Sequence, residues 1–172
     1  MDIIPAVDVK DGKCVRLYQG DYDKETVFST DPVSVAAGWQ DIGAERLHIV
    51  DLDGASSGSQ LNFQVIQRII SSLTIPVQVG GGIRTESNVA TMMDIGVDRV
   101  VLGTIAVENK ELVRSILNRF GEESVVVGID VRDDLVSIKG WKESTIVSSF
   151  DLIDDMYGIG VRRFSNGCCR TL

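Results

Sequence analysis

Apolar residues along this chain fall into short unbroken runs, separated by longer stretches with helical spacing. The runs at 3–7, 46–52, 75–79, 99–102, 125–129 and 162–164 are rich in Val, Ile and Leu and scarcely alternate. That pattern predicts strands covered on both faces, as in a parallel sheet. Between them, 33–42, 62–70, 86–95, 109–120 and 148–157 read as helices. The first follows a Thr30-Asp31-Pro32 start signal, and three end at Gly96, Gly121 and Gly158, which suit helix C-termini. Residues 13–30 read as a hairpin inserted after the first strand, with Cys-Val-Arg-Leu and Thr-Val-Phe arms around a Gly20-Asp21 turn. Trp39, on the first helix, reads as a core residue.

Strict alternation of strand and helix means an α/β fold with a parallel sheet, either doubly wound or closed as a (βα)8 barrel. A repeated phrase chooses between them. Val7-Asp8-Val9-Lys10-Asp11 recurs as Ile129-Asp130-Val131-Arg132-Asp133, each time closing an apolar run. Each copy predicts a strand that delivers an aspartate at its C-terminal tip. In a barrel the first and fifth strands are opposed, and both tips face one central ligand. The fold expected is therefore of the (βα)8 TIM-barrel type. A complete barrel takes roughly 200–250 residues; with 172 residues, about five and a half βα units are expected here.

Charge and cysteine content narrow the partners. A net charge of -8 argues against nucleic acid and anionic membranes, both of which select basic surfaces. An anionic small molecule is still compatible, if a few amides and one or two arginines bind it locally. No run is long enough to span a bilayer, and the first residues read as a strand rather than a signal peptide. Cys14, Cys168 and Cys169 have neither disulfide-framework nor metal-ligand spacing, so reduced thiols in a cytoplasm are expected.

The chemistry concentrates after the strands. Asp8 and Asp130 read as an acid/base pair or as loop-capping aspartates, and their matched contexts favour the pair. In Val79-Gly80-Gly81-Gly82-Ile83-Arg84 and Leu102-Gly103-Thr104-Ile105-Ala106, Gly81, Gly82, Gly103 and Thr104 can bring amides and a hydroxyl to one phosphate. The first loop also reads as a tight turn that simply needs glycine. Asp51 and Asp53 suit a supporting role after the second strand. His48, the sole histidine, is either a satisfied buried residue or a substrate contact. Arg16 can pair an anion and Trp141 can stack on a heterocycle, or both can be surface and packing residues. Nothing in the sequence calls for a metal, flavin or nicotinamide cofactor.

These residues also carry a resemblance. The opening 3–13, Val15-Arg16-Leu17, Gln19-Gly20-Asp21-Tyr22, Thr26-Val27-Phe28, the 48–55 segment, the Gly80-to-Arg84 loop, 101–106, Gly128-Ile129-Asp130-Val131 and Gly140-Trp141 are similar to the histidine-pathway isomerases. Those enzymes act on phosphoribosylformimino-5-aminoimidazole carboxamide ribotide (ProFAR). The paralogous cyclases fit less well, because they carry a lysine-rich stretch where this chain has Val15-Arg16-Leu17-Tyr18-Gln19-Gly20. The resemblance implies a cofactor-free Amadori rearrangement of an aminoaldose phosphate to an aminoketose. Asp8 would be the base and Asp130 the acid. Gly81, Gly82, Gly103 and Thr104 would hold one of two substrate phosphates, with the second held by later loops. It also implies a cytoplasmic enzyme that is a monomer when intact.

The similarity is expected to cover 1–164 as a partial barrel domain, with 165–172 as a tail foreign to the family. The tail Ser165-Asn166-Gly167-Cys168-Cys169 reads as out of frame: codons that encode it give Val-Thr-Asp-Val when shifted by one base. On that reading the chain is C-terminally truncated, weak or inactive, and prone to self-associate through open edges. Two other functions compete with this one: a dual-substrate isomerase that also accepts phosphoribosylanthranilate, and a non-catalytic phosphate-binding fragment.

Overall fold

The structure is a computed structural model that describes residues 3–18, 20–132, 135–140 and 143–168. In chain order it comprises β1 (Ala6–Lys10), β2 (Lys13–Tyr18), β3 (Asp21–Ser29), α1 (Pro32–Asp41), β4 (Leu47–Asp51), α2 (Leu52–Ser57), α3 (Phe63–Ser72) and β5 (Val77–Gly80). There follow α4 (Glu86–Asp94), β6 (Arg99–Leu102), α5 (Thr104–Glu108), α6 (Lys110–Phe120) and a single 3-10 turn (Glu122–Ser124). The remainder is β7 (Val125–Arg132), β8 (Leu135–Ile138), β9 (Glu143–Ser148), α7 (Ser149–Gly158) and β10 (Phe164–Cys168).

The parallel strands β1, β4, β5, β6, β7 and β10 lie side by side in chain order. A doubly wound sheet reverses its strand order at a switch point; this sheet never does. Successive right-handed crossovers in one direction place the helices on one face, as in a barrel wall. Two antiparallel hairpins are attached to it: β2–β3 on β1 and β8–β9 on β7.

Side chains divide by the two-residue period of each strand. Val7, Val9, Leu47, Ile49, Val100, Leu102, Val127 and Ile129 are buried against the helices, which contribute Ile66 and Ile69 from α3, Val89 and Met92 from α4, and Val113 and Ile116 from α6. The intervening residues Asp8, His48, Val50, Val101, Gly128 and Asp130 face a cavity on the other side. Helix starts are locally encoded. Asp31 accepts from the amides of Val33 and Ser34 (3.2 and 3.3 Å), and Thr85 forms a capping box with Asn88.

Several sequence expectations shift. The first strand runs to Lys10 rather than Val7, so Asp8 sits inside it and not at its tip. The last strand is Phe164–Cys168 rather than 162–164, so 165–168 continue the sheet along β7. The β8–β9 hairpin and the short α2 were not foreseen. Trp39 is 37% exposed and is not a core residue: Ala36 fills the buried stripe of α1, and Trp39 lies at its margin. Among the described residues no helix is long and apolar enough to cross a membrane.

Ile49 is fully buried at the centre of β4. Ile49→Ala should cost roughly 2–5 kcal/mol through lost burial and the cavity left behind. Urea unfolding should show a lower midpoint with an unchanged slope.

Candidate active site

Asp8 and Asp130 occupy equivalent positions in the two strands that bear hairpins. Asp8 pairs with Val50 of β4 on one side and with Val15 of β2 on the other. Asp130 pairs with Gly167 of β10 and with Ser137 of β8. Each aspartate therefore sits where a parallel ladder gives way to an antiparallel hairpin. Backbone pairing on both sides holds the Cα and aims the carboxyl at the cavity.

That cavity has a volume of about 430 Å³ and is lined by Asp8, Asp130, His48, Gly81, Gly82, Gly103 and Thr104, among others. The structure thus brings together seven of the nine residues singled out from the sequence. Arg16 is exposed on β2 and does not line the cavity, although its charge reaches Asp8. Trp141 lies outside the described residues.

Burial sets the electrostatics. It pushes the Asp8 carboxyl above its ordinary range, and the Arg16 guanidinium offsets part of this. Burial alone pushes Asp130 up to about 6, so this carboxyl keeps its proton about two pH units higher than an ordinary aspartate. Burial lowers the proton affinity of His48. His48 lies 3.3 Å from Gln78 through Nδ1 and is a neutral imidazole near neutrality, both satisfied and facing the cavity.

The glycine loop after β5 has a packing reason as well as a ligand-binding one. Gly81 and Gly82 adopt φ of 98° and 71°, and a Cβ on Gly81 would collide with the Asp51 carbonyl oxygen. Asp51 is fully buried and caps α2, accepting from the Gly54 amide at 2.8 Å. Thr104 Oγ1 accepts from the Lys139 amide at 3.0 Å, which fastens the β6–α5 loop to the β8–β9 hairpin.

The cavity also contains residues that sequence reasoning passed over. Tyr22 of β3 donates from its hydroxyl to the Leu52 carbonyl at 3.2 Å. Burial and the surrounding carboxylates, Asp130 and Asp8 among them, push it up to about 12. Arg84 donates to the Ala55 carbonyl at 3.4 Å, and among the described residues it makes no ion pair. Ser137 and Lys139 come from the unforeseen hairpin; the Val136-Ser137-Ile138 alternation was its available signal. Among the described residues no group of three or more His, Cys, Asp or Glu side chains is placed to hold a metal ion.

Comparison with known proteins places this geometry. A family profile described as "Histidine biosynthesis protein" matches residues 2–165. The chain belongs to this histidine-biosynthesis family. Similar relatives include a 1-(5-phosphoribosyl)-5-((5-phosphoribosylamino)methylideneamino) imidazole-4-carboxamide isomerase of Dehalococcoides mccartyi, 54% identical over 95% of this chain and 69% of the relative. Proteins of the same name from Chloroflexus aggregans (48% identity; 95% and 68%) and Gloeothece citriformis (50%; 94% and 62%) are also similar. The chain spans about two thirds of the length of these relatives. For this member of the histidine-biosynthesis family, the in-order parallel strands make the fold one of the (βα)8-barrel type.

The raised proton affinity of Asp130 predicts a stability effect. The folded chain binds this proton between about pH 4 and 6 and the unfolded chain does not, so this group makes stability fall as pH rises through that window. Asp130→Asn should raise the thermal midpoint at pH 7.5, by up to about 3 kcal/mol of stability, with the gain vanishing at pH 4. Gly81→Ala should lower the midpoint at every pH, through both its φ and its collision with Asp51.

Proposed function

We propose that this chain is an aldose–ketose isomerase of histidine biosynthesis that performs the Amadori rearrangement of ProFAR by paired aspartate catalysis. The observation that carries the reading is the pair itself. Asp8 and Asp130 sit at equivalent points of two strands, border one cavity, and are both pushed towards neutral titration. The relatives named as isomerases supply the substrate class.

The chemistry needs only proton transfers, to the ring oxygen, from C2, and then from the enol hydroxyl to C1, and no external redox partner. Asp130 in its acid form protonates the ribose ring oxygen. The C1–O bond breaks, and the exocyclic nitrogen lone pair forms a protonated Schiff base. Asp8 as carboxylate then removes the C2 proton; the electron pair left on C2 flows to the iminium and gives an aminoenol. Tautomerisation of the enol yields the C2 ketone, with the proton returned to C1. The atoms balance, and the only oxidoreduction is internal, from C2 to C1.

Binding falls to the loops. Gly81, Gly82, Gly103 and Thr104 receive one phosphate, with the Arg84 cation beside them, and Arg16 tempers the charge at Asp8. His48, uncharged and lining the cavity, would hydrogen-bond a sugar hydroxyl, and Trp141, outside the described residues, would stack on the imidazole. A phosphorylated small molecule suits a chain of net charge -8 only through such local cations and amides. A reduced, cytoplasmic setting accords with the buried free thiol of Cys14.

Three measurements test the reading. With ProFAR as substrate, Asp8→Asn and Asp130→Asn should each lower kcat by about 10²–10⁴-fold, and neither should support growth of an auxotroph lacking this isomerase. Full turnover by either variant would overturn the assignment. The wild-type kcat/KM should fall as pH rises through about 6, where Asp130 loses its proton, and Asp130→Asn should remove that limb.

A further inference from the structure

Asn62 immediately precedes α3, yet its side chain makes no capping hydrogen bond to that helix. All of its amide group is used elsewhere. Nδ2 donates to Asp51 Oδ1 at 2.7 Å and to Asp53 Oδ2 at 2.8 Å, while Oδ1 accepts from the Gly12 amide at 2.9 Å. Asp53 Oδ2 also accepts from the Asp11 amide at 2.7 Å, and Asp51 Oδ2 accepts from the Asn62 amide at 3.2 Å. Asn62 is 6% exposed and Asp51 is fully buried.

Asp11 and Gly12 form the turn between β1 and β2, with φ of 48° and 72°. A two-residue Asp-Gly turn with both φ positive fits the twist of a hairpin, and leaves its own amides free to be bound from outside. Here both are bound, by Asp53 and Asn62. The strand before the turn carries Asp8, and the strand after it carries Arg16 and Cys14. Arg16 is the cation that acts on Asp8; Tyr22 of β3 and Cys14 are the other titratable groups whose proton affinity Asp8 affects.

We infer that Asn62 is a positioning residue: it clamps the β1–β2 turn to the loop after β4, and so fixes Asp8 and Arg16 relative to the cavity. No other side-chain type of this length offers two donors and one acceptor in this fork. The clamp ties two consecutive strand ends together by hydrogen bonds that the strands do not themselves provide. The inference rests on the catalytic reading of Asp8 for its kinetic consequence, but not for its geometric one.

The test uses Asn62→Leu, close in volume and without hydrogen bonds, alongside Arg16→Ala and the double variant. Amide exchange at Asp11 and Gly12 should accelerate by roughly tenfold or more in Asn62→Leu. The carboxyl-carbon titration of Asp8, followed by NMR, should move to higher pH as the Arg16 charge is released from its station. In the Arg16→Ala background, Asn62→Leu should produce no further movement. With ProFAR, kcat should fall by about 10–100-fold while KM changes by less than about threefold. Unchanged exchange and an unchanged Asp8 titration in folded Asn62→Leu would overturn the inference. If Asp8→Asn retains full turnover, the catalytic reading fails by itself, and exchange and titration still decide the role of Asn62. Should Asn62→Leu fail to fold, Asp53→Ala, which releases the Asp11 amide at a partly exposed position, is read by the same exchange measurement.

Discussion

Two strands of the parallel sheet run on past their parallel neighbours and fold back as hairpins, and the site depends on that handover. A strand end held only by a loop would leave its side chain free to choose among orientations. Asp8 and Asp130 instead have a paired backbone on both flanks. Rigid placement is what proton transfer demands, since donor and acceptor must lie within hydrogen-bond reach of the same carbon and oxygen. The hairpins bring a second benefit. They carry Tyr22 and Ser137 over the cavity, which withdraws water from the carboxyls and raises their proton affinity.

Burial of this kind works against stability. Holding Asp130 as a carboxylate near neutrality costs the fold about 2 to 3 kcal/mol, by the displacement of its titration to about 6. The helix-facing side of the sheet offsets it: Val7, Val9, Leu47, Ile49, Val100 and Leu102 are all completely buried there. The period of the strand thus separates two tasks. One set of residues is apolar, dry and closely packed; the alternate set is polar or small and faces the cavity. Glycine at 80, 81, 82, 103 and 128 leaves room on that second face, so the cavity comes from omitted side chains as much as from curvature.

Much of this was legible in the sequence because the signals were local. Unbroken Val/Ile runs gave the parallel strands, Gly96 and Gly121 marked the ends of α4 and α6 while α7 runs through Gly158 to a cap at Ile159, and the duplicated phrase around Asp8 and Asp130 pointed to two equivalent strands. The phrase predicts the end of each strand, since the apolar run ends there. The strands continue because hairpin pairing, not side-chain burial, holds their last residues. The β8–β9 hairpin is hidden for a related reason: its apolar residues Leu135, Val136, Ile138, Ile146 and Val147 fall in two short pieces interrupted by Ser137 and Thr145, and pairing with β7 makes the first a strand. Short α2 begins Leu52-Asp53-Gly54 and has no amphipathic period. It exists because buried Asp51 caps it. Trp39 showed the opposite failure, where a large apolar residue on a helix lies beside the core and not in it.

Asn62 illustrates what periodicity and motif reading do not reach. A polar residue before an apolar helix reads as an N-cap, and the position is right for one. Its amide, however, turns away from its own helix to a turn fifty residues earlier in the chain. The information lies in a three-way coincidence among Asp11-Gly12, Asp51 to Asp53 and Asn62, and it exists only once β1 and β4 are neighbours. Buried polar groups are tolerated when every donor and acceptor is matched, and here the matching runs from one strand end to the next. A site assembled from successive loops needs such cross-links, because the strands fix the separation of the loops but not their orientation. Asp8 is held by the pairing of its own strand; the hairpin that carries Arg16 is tied, through its turn, to the loop next door.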